Sequence, residues 1–207
     1  MDIITTPTPH TYNKGELTQL LDIARNAIQD HFSDHTIDAP SLNHYTRKMQ
    51  QHAACFVTLE VNNELQGSMG TTIASRPLVI EVHNKAIASA YEDRRFMPLS
   101  EEQLDQLTIE VEVLSPLETL AINSHQALVE HLHAFQSQQG IMLIDRYTQT
   151  IMLPSAWRRG LTPEHFVQQL KQKAGWSPTY WSPNMIVKTF TTCALKEKYA
   201  KIRSKYF

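Results

Sequence analysis

The sequence predicts an α+β fold: a largely antiparallel sheet flanked by helices. Three observations predict it. Short runs of alternating apolar and polar residues are bounded by turn residues, as in hairpins. Segments with apolar residues at helical spacing lie between those runs. The two kinds of segment do not follow the strand–helix–strand rhythm that a parallel sheet requires.

Taken in order, residues 1–14 are polar, carry Pro7 and Pro9, and read as a flexible lead-in. Leu17, Leu20, Leu21, Ala24, Ala27, Ile28 and Phe32 then recur at helical spacing, the pattern of an amphipathic helix packed on a core. Residues 33–44 read as a long loop. In the run ACFVTLEV, Cys55, Val57, Leu59 and Val61 share one face, with Thr58 and Glu60 on the other. Asn62 and Asn63 tolerate positive φ and mark a turn. ELQGSMGTTI returns as the partner strand of a hairpin, and its glycines point to a bulge or a close backbone approach.

SRPLVIEVHNKAIASAYED predicts a helix with Leu78, Val82, Ala86 and Ala90 on one stripe and Pro77 in its first turn. A connector with a short acidic helical turn leads to LTIEVEVLSP, the clearest strand, with Ile109, Val111 and Val113 toward the core. Ser124 is placed to cap a helix bearing Leu128, Leu132 and Phe135 on one stripe. GIMLIDRYTQTIMLP predicts a second hairpin. Thr162-Pro163-Glu164 opens a helix with Phe166, Val167, Leu170 and Ala174 inward, and Gly175 ends it. NMIVKTFTT reads as a last strand, followed by a basic tail from 196 to 207 that reads as helical.

Bulk composition narrows the function. The chain has 207 residues, 42% hydrophobic and 19% charged, enough for a real core. A net charge of -2 supplies no global positive field for nucleic acid or an anionic membrane. Cys55 and Cys193 lie far apart with no C-x-x-C, so neither a zinc ribbon nor a disulfide framework is signalled. H-E-x-x-H is absent, and neither a metal nor a cofactor is expected. The N-terminus lacks the pattern of a secretory signal, no run is apolar enough to span a bilayer, and the cytoplasm is the expected location.

Five groups are candidates for chemistry. Ser68 lies between Gly67 and Gly70, but Gln66 stands where a hydrolase elbow needs glycine, and no helix opening follows. Its bland reading is a bulged, tightly packed strand. Glu110 and Glu112 share a strand face about 7 Å apart, a spacing that acid–base chemistry uses, although a solvated outer face is the commoner meaning. Histidines pair as His31 with His35 and His131 with His133, without a ligand motif. The basic tail interleaves Tyr199, Tyr206 and Phe207, which reads as a solvated helix. Trp157, Trp176, Tyr180 and Trp181 read as packing between the C-terminal helix and the second hairpin.

Four stretches in order resemble the AMMECR domain family, over about residues 53–192. ELQGSMGT stands at the place of the family's Leu-Arg-Gly-Cys-Ile-Gly signature. The block around Ala90, Asp93, Arg95-Phe96, Pro98, Glu110-Val111 and Leu114-Ser115-Pro116 matches its most recognisable region. IMLPSAW matches a Leu-Pro-x-x-Trp stretch, and the helix ending in Lys173-Ala174-Gly175 matches the fourth. The resemblance implies two unequal, interlocked lobes with a cleft bordered by the signature hairpin, over an AMMECR-like domain spanning 15–195. It also implies Memo-like and radical SAM proteins as partners.

The family's arginine is Gln66 here and its cysteine is Ser68. The first change removes a fixed charge and a bidentate fork; the second removes a thiol able to become thiolate. Gln66, Gly67, Ser68, Gly70 and Glu110 are therefore the expected cleft-facing set, with Arg95 as a further member. The expected function is a non-catalytic module that binds a small polar molecule or acts as an adaptor. The alternative is a hydrolase or transferase with Ser68 as nucleophile and Glu110 as base.

Overall fold

The computed structural model describes residues 11–33, 38–135 and 139–199. It contains two four-stranded antiparallel sheets with helices, the α+β class that the alternating patterns predict. The chain divides into two compact units: residues 1–114 together with 193–207, and residues 115–192.

In the first unit, helix α1 (Lys14–Asp30) opens with a reciprocal cap. Asn13 Oδ1 accepts from the Glu16 N–H at 2.9 Å, and Glu16 Oε2 accepts from the Asn13 N–H at 3.0 Å. Strands β1 (Cys55–Val61) and β2 (Glu64–Gly70) form the expected hairpin, and Asn62 and Asn63 both take positive φ between them. Helix α2 (Leu78–Ile87) starts with Pro77 at its cap position rather than inside the first turn, and it continues into a π-helical turn, Ala88–Glu92. Strand β3 (Leu107–Leu114) lies beside β1, and the sheet order is β2-β1-β3-β8. Its core face, including Val57, Leu59, Ile109 and Val111, packs in one buried cluster with Leu20, Leu21 and Ile28 of α1 and Leu78, Val82 and Ala86 of α2.

Strand β8 (Thr192–Lys198) corrects the reading of the C-terminus. Lys196 and Lys198 belong to this strand and not to a helical tail; residues 200–207 lie outside the described residues. Alternation explains the charges. Cys193 and Leu195 pack against the core, and Lys196 reaches Glu60 at 2.6 Å. Glu197 pairs at 2.8 Å with the buried Arg25 of α1, which also holds Asp22 at 2.8 Å.

The second unit has the sheet order β4-β7-β5-β6, from β4 (Glu118–Leu120), β5 (Gly140–Asp145), β6 (Thr148–Met152) and β7 (Ile186–Phe190). The short β4 carries too few alternating residues to be read from sequence. Helices α3 (His125–Ala134) and α4 (Pro163–Lys173) have the expected caps at Ser124 and Thr162, and Gly175 ends α4 at φ +72°. Leu128 and Leu132 are buried as expected, but Phe135 lies past the last turn of α3 and is exposed, its ring tilted against that of His131 with centres 4.8 Å apart. Trp157 stacks on Phe166 of α4 with ring centres 4.1 Å apart, and its Nε1–H donates to the Gln139 carbonyl. That is the packing role the tryptophan cluster suggests.

Lys171, on α4, is fully buried. Its ammonium donates to the Pro178 carbonyl at 3.0 Å and lies 2.9 Å from His125 Nδ1 and 5.5 Å from the Trp181 ring centre. Burial pulls its pKa from 10.5 down to about 8. Between those values the unfolded chain holds a proton that the folded chain has released, so stability rises as pH rises through that window. Tyr12, pushed by burial up to about 12, acts oppositely above its ordinary 10. Denaturation midpoints at about pH 7.5 and pH 9.5 are therefore the useful pair. Relative to Lys171→Met, the wild type gains stability at the higher pH; an unchanged difference would exclude a titrating buried lysine.

Candidate functional site

Strand β2 is an edge strand, and its register builds the site. Met69 faces Val57, Ser68 faces Thr58 and Gly67 faces Leu59, but Glu60 faces Leu65. Gln66 has no counterpart on β1 and is the extra residue of a bulge. Its side-chain amide donates to the Met97 carbonyl at 2.7 Å, tying the bulge to the connector after α2.

Gly67 is required by close approach. A Cβ there would stand 2.0 Å from the Ser89 carbonyl oxygen and 2.9 Å from its carbon, both main-chain atoms. The π-helical turn puts Ser89 at this spot, almost wholly buried. The Ser89 hydroxyl accepts from the Met69 N–H at 2.9 Å and donates to the Val57 carbonyl at 2.8 Å. One side chain thus bridges β1 and β2. At Gly70 a Cβ would lie 2.2 Å from the Phe56 ring and 2.6 Å from the Cys55 carbonyl oxygen.

The turn ends at Asp93, whose side chain is 5% exposed. Asp93 Oδ2 accepts from the Ser68 N–H at 3.0 Å, and Arg95 Nη2 donates to the Ser68 carbonyl at 3.1 Å. Arg95 closes the ring on Asp93 through Nη2 at 2.6 Å and Nε at 2.9 Å. These hydrogen bonds from Arg95 are the largest cause that holds the Asp93 carboxyl down at about 2, and the same contact raises the Arg95 pKa. In an extended strand, the N–H and C=O of one residue point to the same side. Both groups of Ser68 are taken by the ion pair, so Thr58 faces Ser68 as a non-hydrogen-bonded pair, the kind in which side chains come closest. Accordingly, Ser68 Oγ and Thr58 Oγ1 are 2.9 Å apart.

Thr58 faces Glu110 on its other side. Ser68, Thr58 and Glu110 therefore form one row on one face of three strands, with Ser68 and Glu110 two strand spacings apart, about 9–10 Å. Glu110 is 3% exposed and Glu112 is 1% exposed. The expectation of a solvated outer face is corrected: this stretch of β3 is covered on both faces, which alternation alone cannot reveal.

Of the residues singled out from sequence, Ser68 and Glu110 share the row, and Gln66 is turned aside at the bulge. Gly67 and Gly70 provide clearance, and Arg95 clamps the edge. Ser89 and Asp93 are the residues that sequence reasoning missed as site members. Asp93 stood in the recognised block, but Ser89 reads as one small residue on a helix. Only the seating of the π-helical turn gives it a partner. Chemically, the row presents two paired hydroxyls and the buried Glu110 carboxyl, beside an Asp93–Arg95 ion pair.

Two antiparallel sheets with helices, the first edged by a bulged strand that a π-helical turn clamps, define an α+β architecture, and a solved structure shares the fold. The crystal structure of uncharacterized protein PH0010 from Pyrococcus horikoshii superposes with a TM-score of 0.78 at 26% identity, over 92% of this chain and 95% of that one. The AMMECR1 family matches residues 21–195, and the chain belongs to that family. Among its relatives, protein TK0174 of Thermococcus kodakarensis is 29% identical over 191 residues, 88% of this chain and 90% of that protein. Protein MJ0810 of Methanocaldococcus jannaschii is 27% identical over 161 residues, 76% and 78% of the two chains.

Two outcomes test this construction. Gly67→Ala forces main chain apart and is expected to cost about 3 kcal/mol or more, read as a lowered denaturation midpoint. An ordinary stability for that variant would show that the Ser89 contact is not as close as described. For Asp93, the folded carboxyl titrates near 2 against an ordinary 3.8. Its contribution is present above the higher value and is lost as pH falls toward the lower one. The stability difference between wild type and Asp93→Asn is therefore expected to shrink between about pH 4 and pH 2, followed by acid titration of both proteins.

Proposed function

We propose that the protein is a non-catalytic binding module whose first unit presents the face around Gln66, Gly67, Ser68 and Gly70 to a small polar molecule or a partner polypeptide. The observation that carries this reading is the partner of Ser68 Oγ: it is the Thr58 hydroxyl, and not an imidazole, amine or carboxylate. An alcohol bonded to an alcohol is a weak nucleophile. Glu110 would need to approach to about 2.6–3.2 Å to act as base, yet it sits two strands away. Arg95 is committed to Asp93 and the Ser68 carbonyl, which favours a positioning role over capture of an anion. Recognition then falls to neutral hydrogen-bonding groups, suited to an uncharged polar ligand or a main-chain segment. Family relationship makes Memo-like and radical SAM proteins the partners to try first.

Native mass spectrometry of the freshly isolated protein, with crosslinking, tests the reading. A retained small molecule or a captured partner is expected, with occupancy reduced about tenfold in Ser68→Arg, which fills the face with charge and bulk. A fluorophosphonate probe is expected to leave Ser68 unlabelled. Labelling at Ser68 would instead support the hydrolase or transferase reading, and a bare protein under both conditions would remove the binding role.

A further inference from the structure

The second unit holds two contacts with opposite responses to acid. His125 at the start of α3 meets Lys171 near the end of α4, and His133 near the end of α3 meets Glu164 in the first turn of α4, so the two helices run antiparallel. The histidines lie about 12 Å apart along α3. One faces a cation and the other a carboxylate.

At the first contact, an ammonium can only donate. His125 Nδ1 therefore accepts from Lys171 at 2.9 Å, and the neutral ring carries its proton on Nε2. Lys171 is fully buried, and no carboxylate pairs with it among the described residues. Its other acceptor is the Pro178 carbonyl. A proton on Nδ1 removes one of these two acceptors and sets two cations side by side where water screens them little. Burial first, and then the Lys171 charge, hold the His125 pKa below its ordinary 6.5. The folded chain thus binds this proton less readily than the unfolded one, and stability is lost as pH falls below 6.5. Among the described residues, Lys171 is the charge that acts on the ring. Glu130 of α3 is bonded to Gln126, Lys173 of α4 to the Ile151 carbonyl, and Asp145 of β5 to Tyr180 and Ser182. The position in the first turn adds to the opposition, since the positive end of a helix dipole disfavours an imidazolium.

At the second contact the signs are reversed. His133 Nε2 lies 2.7 Å from Glu164 Oε1, and the Glu164 carboxyl, held down at about 2 chiefly by this hydrogen bond, stays ionised through mild acid. A protonated His133 remains a donor to that carboxylate, and the negative end of α3 favours the charge. Both partners are exposed, so this pair is a weak tether, and the buried clash at the other end decides the outcome. Lys171 is enclosed, whereas His125 is only partly buried, so His125 is the group that moves toward water. We propose that α3 is an acid-sensitive latch: a proton on His125 parts the start of the helix from Lys171, while its end stays docked on α4 beside His133 and Glu164.

The test follows histidine ring signals and amide hydrogen exchange across α3 by NMR, in the full chain, between pH 7.5 and pH 5. Protection factors are compared, which removes the intrinsic pH dependence of exchange. The Leu128 amide closes the first turn of α3 on the Ser124 carbonyl. It is expected to lose protection about tenfold or more as His125 titrates, at a midpoint below 6.5, while the Leu132 amide keeps its protection. In His125→Gln the side-chain oxygen accepts from Lys171 and does not titrate, so Leu128 is expected to stay protected down to pH 5. The proposal is overturned by a His125 midpoint at or above 6.5 or by Leu128 protection that ignores the titration. Loss at Leu128 and Leu132 together, or the same loss in His125→Gln, overturns it equally.

Discussion

The seating of one π-helical turn on one edge strand organises the first unit. Ser89 places its hydroxyl between the Met69 N–H and the Val57 carbonyl, so that β1 and β2 are joined through a side chain from a helix. This contact exists only because Gly67 has no Cβ; any other residue would drive a carbon into the Ser89 carbonyl. A π-helical turn widens the helix by one residue per hydrogen-bonded ring, and such turns recur at functional sites. Here it has a specific consequence: it moves Ser89 onto the hairpin and aims Asp93 at the next main-chain donor.

The charges around that contact solve an edge problem. An exposed strand edge invites pairing with another chain. At Ser68 the outward N–H and C=O are instead occupied by Asp93 and Arg95, which stand where a neighbouring strand's carbonyl and amide, respectively, would be. Arg95, with its side chain about half exposed, contributes by geometry rather than by a buried charge, and Asp93 is held ionised by it. The result is a clamped strand edge with a paired hydroxyl on it, and the proposed binding role rests on that pairing, since activation of a serine needs a base where this structure has a threonine.

Buried charge is handled differently elsewhere. Arg25 is matched by two carboxylates, one of them brought by β8 from the far end of the chain. Lys171 is met by a histidine nitrogen and a carbonyl, but burial outweighs them and lowers its pKa. Both side chains sit on helix faces that otherwise read as apolar, and each has one partner far away in sequence, Glu197 for Arg25 and His125 for Lys171.

Local pattern determined most elements of this protein. The alternation of Cys55 to Val61 wrote a strand, Asn62-Asn63 wrote its turn, and Ser124, Thr162 and Gly175 wrote helix ends. These are short-range effects of side-chain direction, turn chemistry and capping, and a sequence carries them openly. The ordered motifs also carried the AMMECR1 family. Tertiary structure alone decided that residues 192–198 close the first sheet, that Glu110 and Glu112 are buried, and that Ser89 and Asp93 hold the signature strand. Each of those depends on a partner many residues away. Periodicity says which face a residue occupies, but not what covers that face, because coverage is a property of packing between distant segments.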